Sequence, residues 1–338
     1  MTLYIIMDNK KSKDSNKIED IPAIPDGVID AASRGTLILF IGAGVSRIIG
    51  GPTWRQFAEK YLKHLYDHEC ITYHEFANLC KLNDARKVLS ICGNISKKEN
   101  ITPDLKSFFK IDDKLKEKYK IYESLYYFNC IFVTTNYDDN LDLIAEKCPP
   151  QNLTIVESTP RLNNKEGQGK ESKIFYWSDE FTRSNLENGN IFHLHGSMDN
   201  RQSMVITITD YMKHYENSSR LADFLEEIFK SYTVLFVGYG LEEYEILEFT
   251  ISKSKLVSAK NELKHFMLYP IFSQEKNLFK FYEQYYADLG ITLVPYPIDK
   301  NGYESLDYVI SEWAKRIGVS SRPQGFLDKI KLIDEVTS

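Results

Sequence analysis

The stretch from Thr36 to Ser46, Thr-Leu-Ile-Leu-Phe-Ile-Gly-Ala-Gly-Val-Ser, constrains the fold of this chain more than any other. Its first six residues are β-branched, aliphatic or aromatic and carry no charge, which is the pattern of a strand buried on both faces of a parallel sheet. Gly42, Ala43 and Gly44 follow, small enough for a tight turn and for a ligand to approach the peptide groups closely. A turn of this kind, opening a helix, is either plain punctuation or a place where N–H groups meet a phosphate. Arg47 stands where the dinucleotide fingerprint expects a third glycine, so the turn alone leaves both readings open.

The same pattern recurs. Ile131 to Thr135 is a second short uncharged run, passing into Asn136-Tyr137-Asp138-Asp139 and then into helical spacing through Leu141, Leu143, Ile144 and Ala145. Thr233 to Val237 is a third, ending in Gly238-Tyr239-Gly240 ahead of a helix through Leu241, Tyr244, Ile246 and Leu247. Short strands are expected at Leu153–Val156, Ile174–Trp177, Phe266–Tyr269 and Ile291–Val294, with helices around Leu278–Leu289 and Leu306–Ile317. Such alternation predicts an α/β fold: a doubly wound, mainly parallel Rossmann-like sheet with helices on both faces.

Within that frame residues 1–24 read as an N-terminal arm, 25–318 as one domain and 319–338 as a helical tail. Pro25 to Arg34 is a short helix that Gly35 ends. Thr53 is placed to cap a helix bearing Trp54, Phe57, Ala58, Tyr61, Leu62 and Leu65 on one face. It opens a helical insertion, about 54–120, between the first and second strands, placed to cap a ligand cleft. Ser158 to Ser172, polar and containing Gly167 and Gly169, reads as a mobile loop.

Composition excludes several classes. A net charge of -6 provides no broad cationic surface for nucleic acid or an anionic membrane. The five cysteines form no Cys-x-x-Cys pair, and the apolar run Leu3–Met7 is too short for a secretory signal. No run approaches the roughly 20 apolar residues of a membrane span, so a cytoplasmic protein is expected. His64 and His68 have i, i+4 spacing but lack the His-Glu-x-x-His order of zinc proteases, and they read as a solvated helix face with no metal.

The chemistry-bearing residues fall at strand ends. Asn136 follows the second strand, where open α/β sheets hold their ligands. Any one of Asn136, Asp138 and Asp139 suits a helix cap, but all three serving only as caps is the weaker reading. In Ile191-Phe-His-Leu-His-Gly-Ser197, strand alternation would put His193 and His195 on the same side. His195, directly before Gly196-Ser197, is placed for acid–base work, and His193 for a structural role.

Taken in order, Gly42-Ala43-Gly44-Val45-Ser46, Thr135-Asn136-Tyr137-Asp138, Leu194-His195-Gly196-Ser197 and Gly238-Tyr239-Gly240 resemble the sirtuin family, specifically the bacterial sirtuin-like NAD-hydrolysing domains of antiphage defence. The resemblance runs from about Ile29 to Ile317. It implies NAD at the carboxyl edge of the sheet, with Gly42, Ala43, Gly44 and Ser46 at the diphosphate and Gly238 and Tyr239 on the adenosine side. Thr135, Asp138 and Gly196 complete the expected NAD-binding set, and Asn136 and His195 are the expected catalytic pair. Deacylating sirtuins carry two Cys-x-x-Cys pairs beyond the catalytic histidine for a structural zinc, whereas this chain has no cysteine after Cys148. The zinc module is therefore absent and no metal is expected.

Three activities remain open on these residues: an NAD glycohydrolase releasing nicotinamide and ADP-ribose, an NAD-dependent deacylase or ADP-ribosyltransferase acting on protein, and a non-catalytic NAD or ADP-ribose sensor. Cleavage of the nicotinamide–ribose bond passes through an oxocarbenium-like centre and needs one oriented nucleophile in a site closed to bulk water. The amide of Asn136 offers a donor and an acceptor for that nucleophile, and a neutral His195 can take its proton. The expected setting is a homo-oligomer switched on from outside the chain. The resemblance suggests a ring-forming, helicase-type (HerA-like) ATPase partner, with nucleic acid involved only indirectly, if at all.

Overall fold

Strand β1, Leu37–Ile41, is buried along its whole length at the centre of a seven-stranded sheet of order β5-β6-β2-β1-β7-β8-β9. The other members are β2 (Ile131–Thr134), β5 (Ile174–Tyr176), β6 (Ile191–His193), β7 (Thr233–Val237), β8 (His265–Ile271) and β9 (Ile291–Pro297). Every pairing in the sheet is parallel. The computed structural model describes residues 19–128, 130–147, 153–156, 159–162, 172–177, 181–216, 219–239 and 265–320. The arm over 1–18, the helix expected through Leu241 to Leu247 and the tail beyond 320 lie outside the described residues.

Alternation along β1 divides the core. Leu37, Leu39 and Ile41 face one layer with helices Asp26–Arg34, Ile121–Tyr126, Asn140–Lys147 and Ser305–Ser320, whose Trp313 is fully buried. Ile38 and Phe40 face the other, packed on Phe224, Leu225 and Ile228 of helix Ser219–Ser231 and Tyr286 of helix Lys276–Asp288. Two helical layers around a parallel sheet are the doubly wound arrangement that the sequence pattern predicts.

The insertion has its own core of Phe57, Tyr61, Leu62, Leu65, Leu89 and Cys92. Thr53 begins it with a capping box: its Oγ1 accepts from Gln56 N at 3.1 Å and its N–H donates to Gln56 Oε1 at 2.8 Å. His64 and His68 lie with ring centroids 4.1 Å apart, and among the described residues no three His, Cys, Asp or Glu side chains gather to hold a metal ion. No described helix is long and apolar enough to cross a membrane.

One expectation is corrected. The polar segment expected as a loop from Ser158 contains strand β4, Thr159–Leu162, paired antiparallel with β3, Leu153–Val156, in a separate two-stranded ribbon. Pro160 is tolerated there because a ribbon is all edge, and a proline needs only to avoid donating to a neighbour. Gly167 and Gly169 of the same segment lie outside the described residues.

The register keeps the carboxyl ends of the central strands level: Ile41 pairs with Thr134 of β2 and Val237 of β7, and Thr134 pairs with His193 of β6. Four loops therefore open on one edge of the sheet. Two of them touch through glycines. A Cβ on Gly44 would stand 2.5 Å from Gly238 O, and one on Gly238, whose φ is +70°, would stand 2.6 Å from Val45 N. Gly290 has a similar φ of +80° but open space around it. Gly290→Ala should thus cost about 1 kcal/mol from backbone strain alone, whereas Gly238→Ala adds a clash of about 1–3 kcal/mol. Urea unfolding of the two variants gives that ordering if the loops are held by this contact.

Candidate active site

The first of the four loops leaves β1 at Gly42 and turns into the short helix Ala43–Ile48. The N–H of Gly42 donates to Val237 O at 2.9 Å and that of Gly44 to Gly238 O at 2.8 Å. These two donors are committed to β7, so the glycines serve here by allowing close approach.

The second loop is held from below. Thr134 Oγ1 donates to Ile41 O at 3.0 Å and accepts from Asn136 N at 3.0 Å. Asn136 Nδ2 then donates to Gly42 O at 3.1 Å, tying the second loop to the first. Its Oδ1 is buried and accepts no hydrogen bond from the described residues. An amide oxygen left in this state carries a desolvation cost unless something outside the chain fills the position.

Asp138, also buried, is fully engaged. Its Oδ2 accepts from Ser46 Oγ at 2.6 Å and from Tyr122 OH at 3.3 Å, while Oδ1 accepts from the backbone and side-chain amides of Asn140. The carboxylate is a brace across the first loop, helix Ile121–Tyr126 before β2 and the helix after it. Thr135 Oγ1 reaches Tyr239 OH at 3.1 Å, linking the second loop to the one after β7.

The two histidines do not share a side, contrary to the strand-alternation reading. β6 ends at His193 and the chain turns at Leu194 and His195, so alternation stops before the second imidazole. His193 faces Asp142, whose Oδ1 lies 2.8 Å from Nε2, and its Nδ1 donates to Asn136 O at 3.4 Å. Burial disfavours its charge, but the Asp142 bond and charge and the Asn136 carbonyl outweigh that and raise its pKa. It stands directly behind Asn136.

His195 instead meets Tyr215 OH at 2.7 Å through Nε2 and Tyr211 OH at 3.5 Å through Nδ1. Burial, with His214 and Arg86 nearby, holds its pKa well below the usual histidine value, so the ring is neutral at pH 7. His214 is likewise pushed down by burial, to about 4. The loop carrying His195 is fixed by Leu194 N–H to Thr134 O at 2.9 Å and Val205 N–H to His195 O at 3.0 Å. Gly196 makes its turn at φ +77°, where any Cβ would meet Ser203 O at 2.2 Å.

Two adjoining cavities lie at this edge. An inner chamber of about 50 Å³ is walled by Asn136, Asp138, His195, Arg86, Tyr211 and the rings of Trp54, Phe57, Phe109 and Tyr137, with Ala43, Ser46 and Thr135. An outer groove of about 430 Å³ runs along Gly44, Arg47, Gly238 and Tyr239 to the aromatic side chains of Tyr269, Phe279, Tyr282 and Tyr296. Ala43, Thr53 and Trp54 line both. The sequence-predicted residues thus divide: Ser46, Thr135, Asn136, Asp138 and His195 at the chamber, Gly44, Gly238 and Tyr239 at the groove, Ala43 at both, and Gly42 and Gly196 in neither lining. The chamber residues that sequence reasoning missed are Arg86 and Trp54 from the insertion and Tyr137 and Tyr211. Tyr137 was within a quoted motif, but nothing in the local pattern marks Arg86 or Tyr211.

Comparisons with known proteins agree with the motif resemblance. Residues 131–292, just under half the chain, match the family model of the SIR2-like domain. Defense-associated sirtuin 2 of Bacillus subtilis is 24% identical over 237 residues, covering 69% of this chain and 20% of that protein. The chain therefore spans about a fifth of the length of the curated relative it matches. The family match takes in the second, third and fourth loops, and with them Thr135, Asn136, Asp138 and His195 of the chamber wall.

The His193–Asp142 pair generates a signed pH dependence. Because the folded pKa of His193 is raised, its contribution to stability is complete below the unfolded value near 6.5 and is lost as pH rises through the folded pKa. Asp142→Asn should therefore destabilise the protein by about 3 kcal/mol in acid and by less as the medium becomes alkaline. Urea midpoints of the two proteins from pH 6 to 9 measure this: the curves should converge with rising pH, and a constant gap would mean that His193 does not change its charge in that range.

Proposed function

We propose that this chain is an NAD glycohydrolase that cleaves NAD to nicotinamide and ADP-ribose as part of a defence-associated effector. The observation that carries the reading is the unpartnered, buried Asn136 Oδ1 in the same small chamber as a neutral His195. An acceptor without a donor and a base without a proton are what a water molecule or ribose hydroxyl needs in order to be oriented and deprotonated beside the glycosidic bond. The outer groove, with its aromatic walls and Arg47, offers room for the adenosine and diphosphate end. Asp138 holds the loops and leaves the chemistry to its neighbours.

Hydrolysis is favoured over protein deacylation by the absence of cysteine after Cys148, which leaves no ligands for the zinc module of deacylating sirtuins. The defence context is taken from the relative's name and from the motif pattern. Gating fits the dimensions: the chamber holds a few waters at most, so admitting the nicotinamide end requires the Trp54 and Phe109 side of the insertion to move. Self-association or a ring-forming ATPase partner is the proposed source of that movement, in a cytoplasmic setting.

Purified protein incubated with NAD, alone over a range of concentrations and with candidate partners, tests the proposal. His195→Ala should lower turnover by at least about 100-fold in protein that still folds cooperatively, with a lower melt from the cavity it leaves, and chelators should leave the wild-type rate as it is. A modified protein substrate in place of bulk NAD loss would identify a transferase or deacylase. Tight NAD or ADP-ribose binding without turnover under any condition would identify a sensor, and wild-type turnover by His195→Ala would remove the histidine from the mechanism.

A further inference from the structure

His195 is gripped from one helix. Tyr211 and Tyr215 lie one turn apart on Ile208–Glu216 and so share a face. Their rings stack with centroids 6.1 Å apart, and the imidazole stands edge-on to both, at 5.1 Å from Tyr211 and 5.9 Å from Tyr215. The helix is itself anchored. Asp210 Oδ2 accepts from Thr207 N at 2.9 Å while Asp210 N–H donates to Thr207 Oγ1 at 3.2 Å, and Ile208 N–H donates to Ser90 Oγ at 2.9 Å. Ser90 belongs to the insertion helix Ala85–Lys98, which also carries Arg86, whose guanidinium lies 5.2 Å above the Tyr211 ring.

The two contacts on His195 are unequal. Tyr215 is buried in the core, takes no part in the chamber wall and makes the short contact with Nε2. Tyr211 lines the chamber, and its contact with the imidazole, at Nδ1, is the longer of the two. The nitrogen next to the chamber is therefore Nδ1, and a general base needs its lone pair on that atom. Arg86, His214, Tyr137 and the two tyrosines are the titratable or charged groups around the ring, and Arg86 and His214 oppose its protonation in the resting state.

We propose that Tyr215 and Tyr211 are positioning residues: Tyr215 accepts the Nε2–H and so fixes the tautomer whose Nδ1 lone pair faces the chamber, and Tyr211 occupies that nitrogen until a substrate or water hydroxyl replaces it. The inference rests on His195 acting as the base of NAD cleavage. In that step the attacking O–H bond breaks and its proton goes to Nδ1. The oxygen forms a bond to the ribose carbon, and the glycosidic C–N pair leaves with nicotinamide, whose ring becomes neutral. Arg86 holds Tyr211 from the insertion, so the insertion reaches the base through two side chains.

Ring ¹⁵N shifts of the full-length, histidine-labelled protein at pH 7 test the tautomer directly, with His195→Gln identifying the signal. The expected spectrum has a protonated Nε2 and an unprotonated Nδ1. Tyr215→Phe should mix the tautomers and lower kcat by about 10-fold or more while KM stays within about twofold, and Tyr211→Phe should keep the tautomer with a smaller loss. A wild-type ring protonated at Nδ1 overturns the proposal, as does Tyr215→Phe with unchanged kcat and spectrum. Should Tyr215→Phe not fold, the wild-type spectrum decides alone. Absence of NAD cleavage by wild-type protein at every concentration and with every candidate partner would refute the glycohydrolase reading while the spectrum still judges the tautomer.

Discussion

A single buried carboxylate holds the site together. Asp138 accepts hydrogen bonds from Ser46 after β1, from Tyr122 in the helix before β2 and from Asn140 at the start of the helix after β2. Removing such a group from water is costly unless each lone pair finds a donor, so the loops that supply those donors are held in one arrangement. Asn136 sits two residues before this knot and is held from three directions: Thr134 below, Gly42 in front and His193 behind. Its side-chain oxygen is left over, and that leftover acceptor is what gives the chamber a chemical direction.

The sheet and the insertion divide the remaining work. Level strand ends bring the loops after β1, β2, β6 and β7 to one edge, and the contact between Gly44 and Gly238 sets how closely two of them approach. The insertion closes the chamber with Trp54, Phe57 and Phe109 and adds the one arginine in its wall. Polar groups on the sheet edge facing aromatic groups on a separate helical layer make a chamber whose polar wall is set by the sheet and whose access depends on a second body of structure.

Uncharged runs such as Leu37–Ile41 and Thr233–Val237 made the central strands legible, because a strand buried on both faces tolerates little else. The same argument missed β4, since Thr-Pro-Arg-Leu is neither alternating nor apolar and pairs only within an isolated ribbon. Alternation misplaced His195 because the chain turns at Leu194, and a turn cancels the two-residue period on which the inference depends. Asn136 and His195 were legible as polar residues at strand ends. Arg86, Tyr211 and Tyr215 were not: each reads locally as an ordinary helix residue, and only tertiary packing brings them to the imidazole.

Whether Asn136 and His195 meet the nicotinamide end of NAD is open to direct measurement. Proton NMR of NAD incubated with concentrated wild-type protein, beside an identical sample of Asn136→Ala, follows the nicotinamide and ribose signals without any coupled assay. Nicotinamide and ADP-ribose should appear in equal amounts with the wild type, and NAD should stay intact with the variant. Equal rates of cleavage in the two samples, or nicotinamide released without matching ADP-ribose, would contradict the glycohydrolase reading.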